Sequence, residues 1–392
     1  MTRIYLIRHA EAEGNLYRRA QGHFDSNLTA LGRSQLRALA DRFRDVPLDA
    51  LWSSDLIRTR STAAAILKTH PELTLMTSRS LREIDVGVWE DMPWGNIAAD
   101  YPEEMEYFTR DPARWHVTDC EPYKHLQDRI RTAVLELGAR YDGRTVAVVS
   151  HGLCIRALLC DLFGVPSPEI GKIPYGDNTA VSLLSVEGDR IRVEWYNDAS
   201  HLTGEGLSTF SRQAWWRHSD LPARRIYSRF VPMNPAVERA LYVRCYSETW
   251  KQSHGTLQGF SPEVYLLSAE AHVNRDPRSL QKLYLAEDFA GLVELDPERG
   301  ALDGTGWISL LYLEPNMRGR RLGVQLIGHG VSVFRRMGRS RMQLHVAKDN
   351  EHAIGFYKAV GFRVAGTARG VGGSLYLMEM DISPHIVAPE EI

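Results

Sequence analysis

The chain has 392 residues, with 47 Lys plus Arg against 49 Asp plus Glu and a formal net charge of −2. At roughly 150 residues per domain that length suggests two to three domains, each able to bury its own core. Hydrophobic residues at 44% and charged residues at 24% exclude a disordered chain, and the balanced charge names neither nucleic acid nor an anionic membrane as an obligatory partner.

In chain order, residues 3–7 read as a short strand and 30–44 as a helix with Leu31, Leu36, Leu39, Ala40 and Phe43 at helical spacing. A second strand is expected at 48–52 and a second helix at 57–69, then a long irregular stretch. Residues 126–141 read as a helix. Residues 145–150, Thr-Val-Ala-Val-Val-Ser, have the near-continuous apolar pattern of a parallel strand covered on both faces. A helix at 153–163 follows, then strands at 180–186 and 190–196. Strands alternating with helices predict an α/β unit with a mostly parallel sheet.

Residues 203–230 lack periodicity and read as a connector, although Trp215-Trp216 argue for some packing. Beyond it, helices are expected at 235–249, 322–337 and 351–360, and strands at 283–285, 290–295, 307–313, 341–346, 362–365 and 375–381. The division expected is 1–202, a connector at 203–227, a second domain at 228–382 and an exposed tail at 383–392. Cys120, Cys154, Cys160 and Cys245 form no CxxC and no metal spacing. Reduced thiols in a cytoplasmic protein are therefore expected. The N-terminal apolar run is too short for a signal peptide, and none approaches the ~18 residues of a membrane span.

The chemistry of the first half starts with Arg8-His9, directly after a strand. Ligands of α/β sheets gather at the carboxyl ends of strands. A neutral imidazole can attack phosphorus, and a guanidinium can bind phosphate oxygens in pairs. A second histidine, His151, also ends a strand, within Ser150-His151-Gly152. Arg58 begins a helix after a strand, where amides attract anions. Leu81-Arg82-Glu83-Ile84-Asp85 offers acids in a loop.

Together with Asn15, Gln21-Gly22-His23-Phe24-Asp25, Leu28-Thr29-Ala30-Leu31-Gly32, Ser54–Thr59, Gly87 and Trp89-Glu90, these segments resemble the histidine phosphatase superfamily, the phosphoglycerate-mutase-like fold, over residues 1–202. The resemblance implies a three-layer domain with a mostly parallel sheet and metal-independent hydrolysis of phosphomonoesters. His9 would take up the phosphoryl group. Arg8, Asn15, Arg58 and His151 would hold its oxygens, and Glu83 would exchange protons with the leaving oxygen and the attacking water, with Asp85 or Glu11 as substitutes. His23 borders the pocket or the surface, and Arg18-Arg19 is a solvated pair or an anion-favouring feature of the mouth. Cys154 and Cys160 belong to the core. Ala10 and Ala12 replace the family's usual Gly and Thr, and Cys120-Glu121-Pro122-Tyr123 replaces its Gly-Glu-Ser segment. Ala10 is harmless only where its φ is negative.

In the second half a strand ending at Leu313 leads into Arg318-Gly319-Arg320-Arg321-Leu322-Gly323-Val324, an anion nest at a helix start. With Pro315, Asn350, Ala353, Tyr357 and Gly361-Phe362, it resembles the GNAT acetyltransferases over residues 228–382. That resemblance implies an α+β domain with acetyl-CoA as co-substrate. Its pyrophosphate would lie on the 318–324 turn, its pantetheine along the strand ending at Leu313, and Asn350 would assist. Tyr357 would protonate the thiolate. Arg321 stands where the family's turn has its first glycine. Glu294 and Glu314 are the candidates for the base.

The function expected is thus bifunctional, on a phosphorylated small molecule and a small-molecule or peptide amine, with no nucleic acid, membrane or metal. Homo-oligomerisation stays open. The alternatives are a phosphoglycerate-type mutase in the first half, and a non-catalytic acetyl-CoA sensor or scaffold in the second, for which Arg321 speaks.

Overall fold

The computed structural model describes residues 1–213, 227–371 and 373–392. It separates into two compact units: Met1–Met92, Ile97–Leu221 and Pro384–Ile392 form one, and Pro93–Asn96 with Pro222–Ser383 the other. The Trp215-Trp216 pair lies outside the described residues.

The first unit is built on six strands, β1 (Thr2–Arg8), β2 (Ala50–Ser53), β3 (Leu75–Thr77), β4 (Thr145–Ser150), β5 (Val181–Glu187) and β6 (Arg190–Asp198), in the order β3-β2-β4-β1-β5-β6. The pairings β1/β4, β2/β4 and β2/β3 are parallel, and β5 and β6 close one edge antiparallel. The central β4 is buried at every residue after Thr145, as its run of apolar residues requires. Helices Ala30–Phe43, Ile57–Thr69, Tyr123–Arg140 and Gly152–Leu162 carry the crossovers. Leu36, Leu39, Phe43, Ala63, Ile66, Ile7, Leu51 and Val149 form one core cluster.

Three features depart from the sequence reading. The stretch taken as irregular contains β3 and helix Pro102–Arg110, which has Pro at its start and Glu103 and Glu104 in its first turn. Part of the expected connector, Thr209–Arg212, is a short helix capped by Ser208. The C-terminal residues are not an exposed tail: Val387 is only 2% exposed in the first unit's core, and its N–H donates to Ser61 Oγ (3.1 Å).

The second unit is a seven-stranded sheet ordered β12-β13-β11-β10-β9-β8-β7, from β7 (Ser228–Pro232), β8 (Leu280–Leu285), β9 (Asp288–Asp296), β10 (Thr305–Leu313), β11 (Arg341–Ala347), β12 (Arg363–Arg369) and β13 (Ser374–Asp381). Helices Arg239–His254 and Pro262–Arg275 precede most of the strands, and Leu322–Arg336 and Glu351–Val360 are interleaved with them. The expected helix at 235–249 thus begins and ends later. Helix Pro262–Arg275 escaped the sequence reading because Val264 and Leu267 stay exposed and blur the apolar stripe.

The only parallel pair in this sheet among the described residues, β10/β11, joins just three residue pairs, Thr305–Trp307 with Arg341–Gln343. Past Trp307 the two strands part. This fork leaves the second half of β10 free of one ladder partner, and it is the feature on which the candidate second site is built.

Candidate active sites

In the first unit the register places the chemistry. Arg8 of β1 pairs with Ser150 of β4, so the next residues, His9 and His151, leave adjacent strand ends side by side. Their ring centroids are 5.4 Å apart. Ser53 of β2 pairs with Val149 on the other side of β4, and the helix after β2 brings in Arg58.

His9 Nδ1 lies 2.7 Å from the Ala10 carbonyl, which can only accept. Nδ1 therefore carries the hydrogen and Nε2 keeps its lone pair. The loop holding this geometry is itself held. His9 N–H donates to Ser150 O (3.0 Å), Asn178 Nδ2 donates to His9 O (2.9 Å), and Ala10 N–H donates to Thr62 Oγ1 (2.9 Å). Ala10 does not have a positive φ, so the replacement of glycine there is harmless. Burial, then the charges of Arg58 and Arg8, push the His9 imidazole well below its ordinary value, so it is neutral at pH 7.

Arg58 is fully buried; Nη1 donates to Phe24 O (3.0 Å) and Nη2 to Gly22 O (2.7 Å). Arg8 Nη1 donates to Gly176 O (2.5 Å). The Nε atoms of both arginines and both ring nitrogens of His151 are buried with no hydrogen-bond partner among the described residues. Each is a group that ordinarily finds a partner when buried. Burial, then Arg58 and His9, also hold the His151 imidazole well below its ordinary value. Glu83 Oε2 accepts from Leu153 N–H (2.9 Å), and Oε1 from Cys154 N–H (2.8 Å) and Ile84 N–H (3.1 Å). The carboxylate thus lies on the start of the helix that His151 caps.

Other residues singled out in the sequence fall around this centre. Asn15 Oδ1 accepts from Ala12 N–H (3.0 Å), which leaves its NH2 as the donor end. His23 bridges Asp85 Oδ2 (3.1 Å) and Glu83 O (3.0 Å). Glu11 is buried and accepts from Thr29 Oγ1 (2.7 Å) and Gln213 Nε2 (3.2 Å). Arg19 is no solvated cation: it pairs with buried Asp91 (2.6 Å). Cys154 and Cys160 are buried free thiols, the former pushed up to about 12 by burial. The sequence reading missed Thr62, Asn178 and the backbone role of Glu90, whose carboxylate accepts from the N–H groups of Gly22, His23 and Phe24 and so shapes the loop that grips Arg58. Among the described residues, no group of three or more His, Cys, Asp or Glu is set to hold a metal ion.

In the second unit, Gly319 (φ 74°) and Arg321 (φ 58°) are both left-handed, and Arg321 caps helix Leu322–Arg336. Gly323 packs close to Phe356 and Leu313: an added Cβ would lie 3.0 Å from Phe356 Cζ and 3.5 Å from Leu313 Cδ1. Arg318 Nε turns back to Leu313 O (3.2 Å), Arg320 is exposed, Leu322 is buried and Val324 half-buried. A turn of this shape before a helix start suits an anion, and the β10/β11 fork suits an extended ligand pairing with β10. Asn350 caps its helix by accepting from Ala353 N–H (3.1 Å). Tyr357 is 9% exposed against Phe356 and Phe362, and burial pushes its hydroxyl up to about 12.

Strand-end histidines beside buried guanidinium groups, and in the second unit a forked sheet with a turn shaped to suit an anion, are the features of an α/β phosphatase-type unit followed by an acyltransferase-type unit. Known proteins agree. Residues 4–199 match the histidine phosphatase superfamily (branch 1), and residues 239–362 match the acetyltransferase (GNAT) family. Phosphoserine phosphatase 1 of Hydrogenobacter thermophilus is 31% identical over 202 residues, 52% of this chain and 95% of that protein. Phosphoglycerate mutase-like protein 4 of Arabidopsis thaliana is 30% identical over 207 residues, 52% of this chain and 88% of that protein. The solved structure of Bacillus stearothermophilus YhfR is 30% identical with a TM-score of 0.50, covering 51% of this chain and 99% of that one. The chain belongs to the histidine phosphatase superfamily, and its second region carries a GNAT domain. No helix among the described residues is long and apolar enough to cross a membrane.

Proposed function

We propose that the chain is a bifunctional enzyme: a phosphomonoesterase working through a phosphohistidine on His9, and an acetyltransferase that moves an acetyl group from acetyl-CoA to an amine. The observation that carries the first half is a set of buried nitrogens without a partner, Arg8 Nε, Arg58 Nε and those of His151, on groups whose charge or ring neighbours an imidazole with Nδ1 pinned and Nε2 free. The two guanidinium groups and the one ring nitrogen of neutral His151 that bears hydrogen are preorganised donors, which stabilise charge spreading over phosphoryl oxygens.

His9 Nε2 attacks phosphorus, the phosphorus–oxygen ester bond breaks, and the leaving oxygen takes a proton through Glu83. Water then attacks the phosphohistidine, gives a proton back through Glu83, and releases orthophosphate. Asn15 adds a donor at the rim. In the second unit, the turn 318–324 would hold the acetyl-CoA pyrophosphate by backbone amides, the free edge of β10 its pantetheine, and Tyr357 would supply the proton to the departing thiolate.

The test takes p-nitrophenyl phosphate and a phosphometabolite panel headed by phosphoserine, a phosphomonoester that also carries an amine. Wild-type protein should release phosphate and trap an acid-labile phosphohistidine on the peptide holding His9, and His9→Ala should do neither. An unchanged rate in His9→Ala would sink the nucleophile assignment. Calorimetric titration with acetyl-CoA, with thiol release from a primary-amine panel, tests the second half; binding without turnover would favour the sensor.

A further inference from the structure

An amine arrives at neutral pH as an ammonium ion, and acyl transfer needs a group to take its proton. The two acids that the sequence offered are engaged elsewhere. Glu294 is 1% exposed, accepting from the Tyr242 hydroxyl (2.8 Å) on one oxygen and facing His272 Nδ1 (2.8 Å) with the other. Glu314 is paired with Arg244 (2.5 Å) and accepts from the Tyr312 hydroxyl (3.2 Å).

The fork itself presents a different group. Gln343 is the last residue of β11 paired with β10, and His345 follows two positions on, just where the strands part. The Met342 sulfur lies 3.0 Å from where a Cβ on Gly330 of helix Leu322–Arg336 would be, so Met342, Leu344 and Val346 face that helix. His345 therefore projects from the opposite face. There its ring meets Trp307, the last β10 residue paired with β11, edge-on at 4.8 Å. The Arg299 guanidinium lies over the same indole at 3.4 Å. His345 is half-buried, and neither of its ring nitrogens has a hydrogen-bond partner among the described residues. Burial, then the Arg299 charge, lowers the His345 imidazole from its ordinary value, so it is neutral at pH 7.

We propose that His345 is the general base of acyl transfer, standing at the apex of the β10/β11 fork on the face away from the anion-cradling helix. The assignment rests on the acetyltransferase reading above. An unprotonated ring nitrogen takes one proton from the acceptor ammonium, and the freed nitrogen lone pair attacks the thioester carbonyl. The C–N bond forms and the C–S bond breaks. The thiolate takes a proton from Tyr357, the second amine proton leaves as the amide forms and restores that hydroxyl, and the imidazolium proton goes to solvent. The products are an N-acetyl amine, the free thiol and one proton.

The test needs no knowledge of the natural amine. Bromoacetyl-CoA carries an electrophilic carbon in place of the acetyl methyl, and an imidazole standing where the amine reacts displaces its bromide. Full-length protein treated with it should be alkylated on His345, as read by peptide mass, and excess acetyl-CoA should slow the labelling at least about tenfold. His345→Gln should keep acetyl-CoA binding within about threefold by calorimetry, lose the label, and lower thiol release with primary amines by about 10²-fold where wild type shows it. If acetyl-CoA binds and protects while the label falls on another residue, or none forms, the His345 assignment is overturned and the acetyltransferase reading stands. If wild-type protein binds no acetyl-CoA, the reading itself falls, and His345 with it.

Discussion

Thr62 gives the sharpest test of how the first site is held. Its hydroxyl accepts from Ala10 N–H (2.9 Å) and donates to Arg58 O (2.7 Å), and the residue is fully buried. One side chain thus links the peptide after His9, the proposed nucleophile, to the helix carrying Arg58. Thr62→Val keeps the volume and removes the hydroxyl. Ala10 N–H is then left buried without a partner, which costs about 1–3 kcal/mol of stability. The consequence for catalysis is separate. The Ala10 carbonyl receives His9 Nδ1–H, so a loosened peptide lets the imidazole rotate off line, and misplacement of about 1 Å costs about 10²-fold in rate. Stopped-flow phosphorylation with p-nitrophenyl phosphate should show His9 modification slowed by about that factor, while inhibition by orthophosphate, which the proposed site would hold through Arg8, Arg58 and His151, stays within about threefold. Thr62→Ser should recover most of the rate. If Thr62→Val lowers the urea midpoint but leaves the phosphorylation rate untouched, Thr62 is a structural residue only, and the coupling to His9 is wrong.

Other parts of the molecule make independent predictions. Arg321 sits at φ 58°, where a side chain costs roughly 1–2 kcal/mol, so Arg321→Gly should raise the second unit's stability by about 1 kcal/mol in a urea titration; a loss would show that its side chain makes a contact outweighing the strain. His272, held between Glu294 (2.8 Å) and Asp296 (3.5 Å), is raised to about 9 by those carboxylates against its burial. A raised histidine adds stability that is full below about pH 6.5 and lost as pH climbs through 9, so the second unit's urea midpoint should fall between pH 6 and 9.5, and His272→Gln should flatten that slope. Deleting residues 384–392 removes Val387 from the first unit's core and its bond to Ser61. The loss should be about 1–3 kcal/mol, seen as faster amide exchange in helix Ile57–Thr69 with exchange in helix Leu322–Arg336 unchanged; equal effects on both would contradict the assignment of this segment to the first unit alone.

The two histidines and Arg58 were legible because their chemistry lies next in sequence to apolar runs that mark strand ends. Once β1 and β4 are parallel neighbours, a one-residue overhang brings His9 beside His151. What could not be read were contacts set by register or by distant chain. Thr62 is an ordinary helix residue until the fold places it under Ala10, and Asn178 reaches His9 from 169 residues away. Glu83 was legible as an acid near the site, but not as an acceptor for the amides of Leu153 and Cys154. His345 is one polar residue in an alternating strand, the pattern of a solvated face. Only the early end of β10/β11 pairing gives it a place at a fork.

Backbone strain marks both sites, and for the same physical reason. Thr179 is held at φ 62°, and from that conformation its N–H lies within reach of both Arg8 O (3.1 Å) and His9 O (3.3 Å). Arg321 at φ 58° sits in the turn that opens helix Leu322–Arg336. A left-handed residue reverses the direction of successive N–H groups within one step, which is what a concave cradle or a clamp on a strand end requires. Glycine would adopt it at lower cost, yet neither position has one. At Thr179 the side chain repays the strain: its hydroxyl donates to Asn178 O (2.7 Å) and meets His201 Nε2 (2.9 Å), tying the clamp to the Arg42–Asp198 pair. Arg321 has no such contact, because its side chain is exposed and bonded to nothing described. Strain with compensation belongs to a clamp that must not move. Strain without it leaves a guanidinium in the turn that, on the proposed acetyl-CoA reading, would cradle the pyrophosphate, where charge rather than packing would justify the residue.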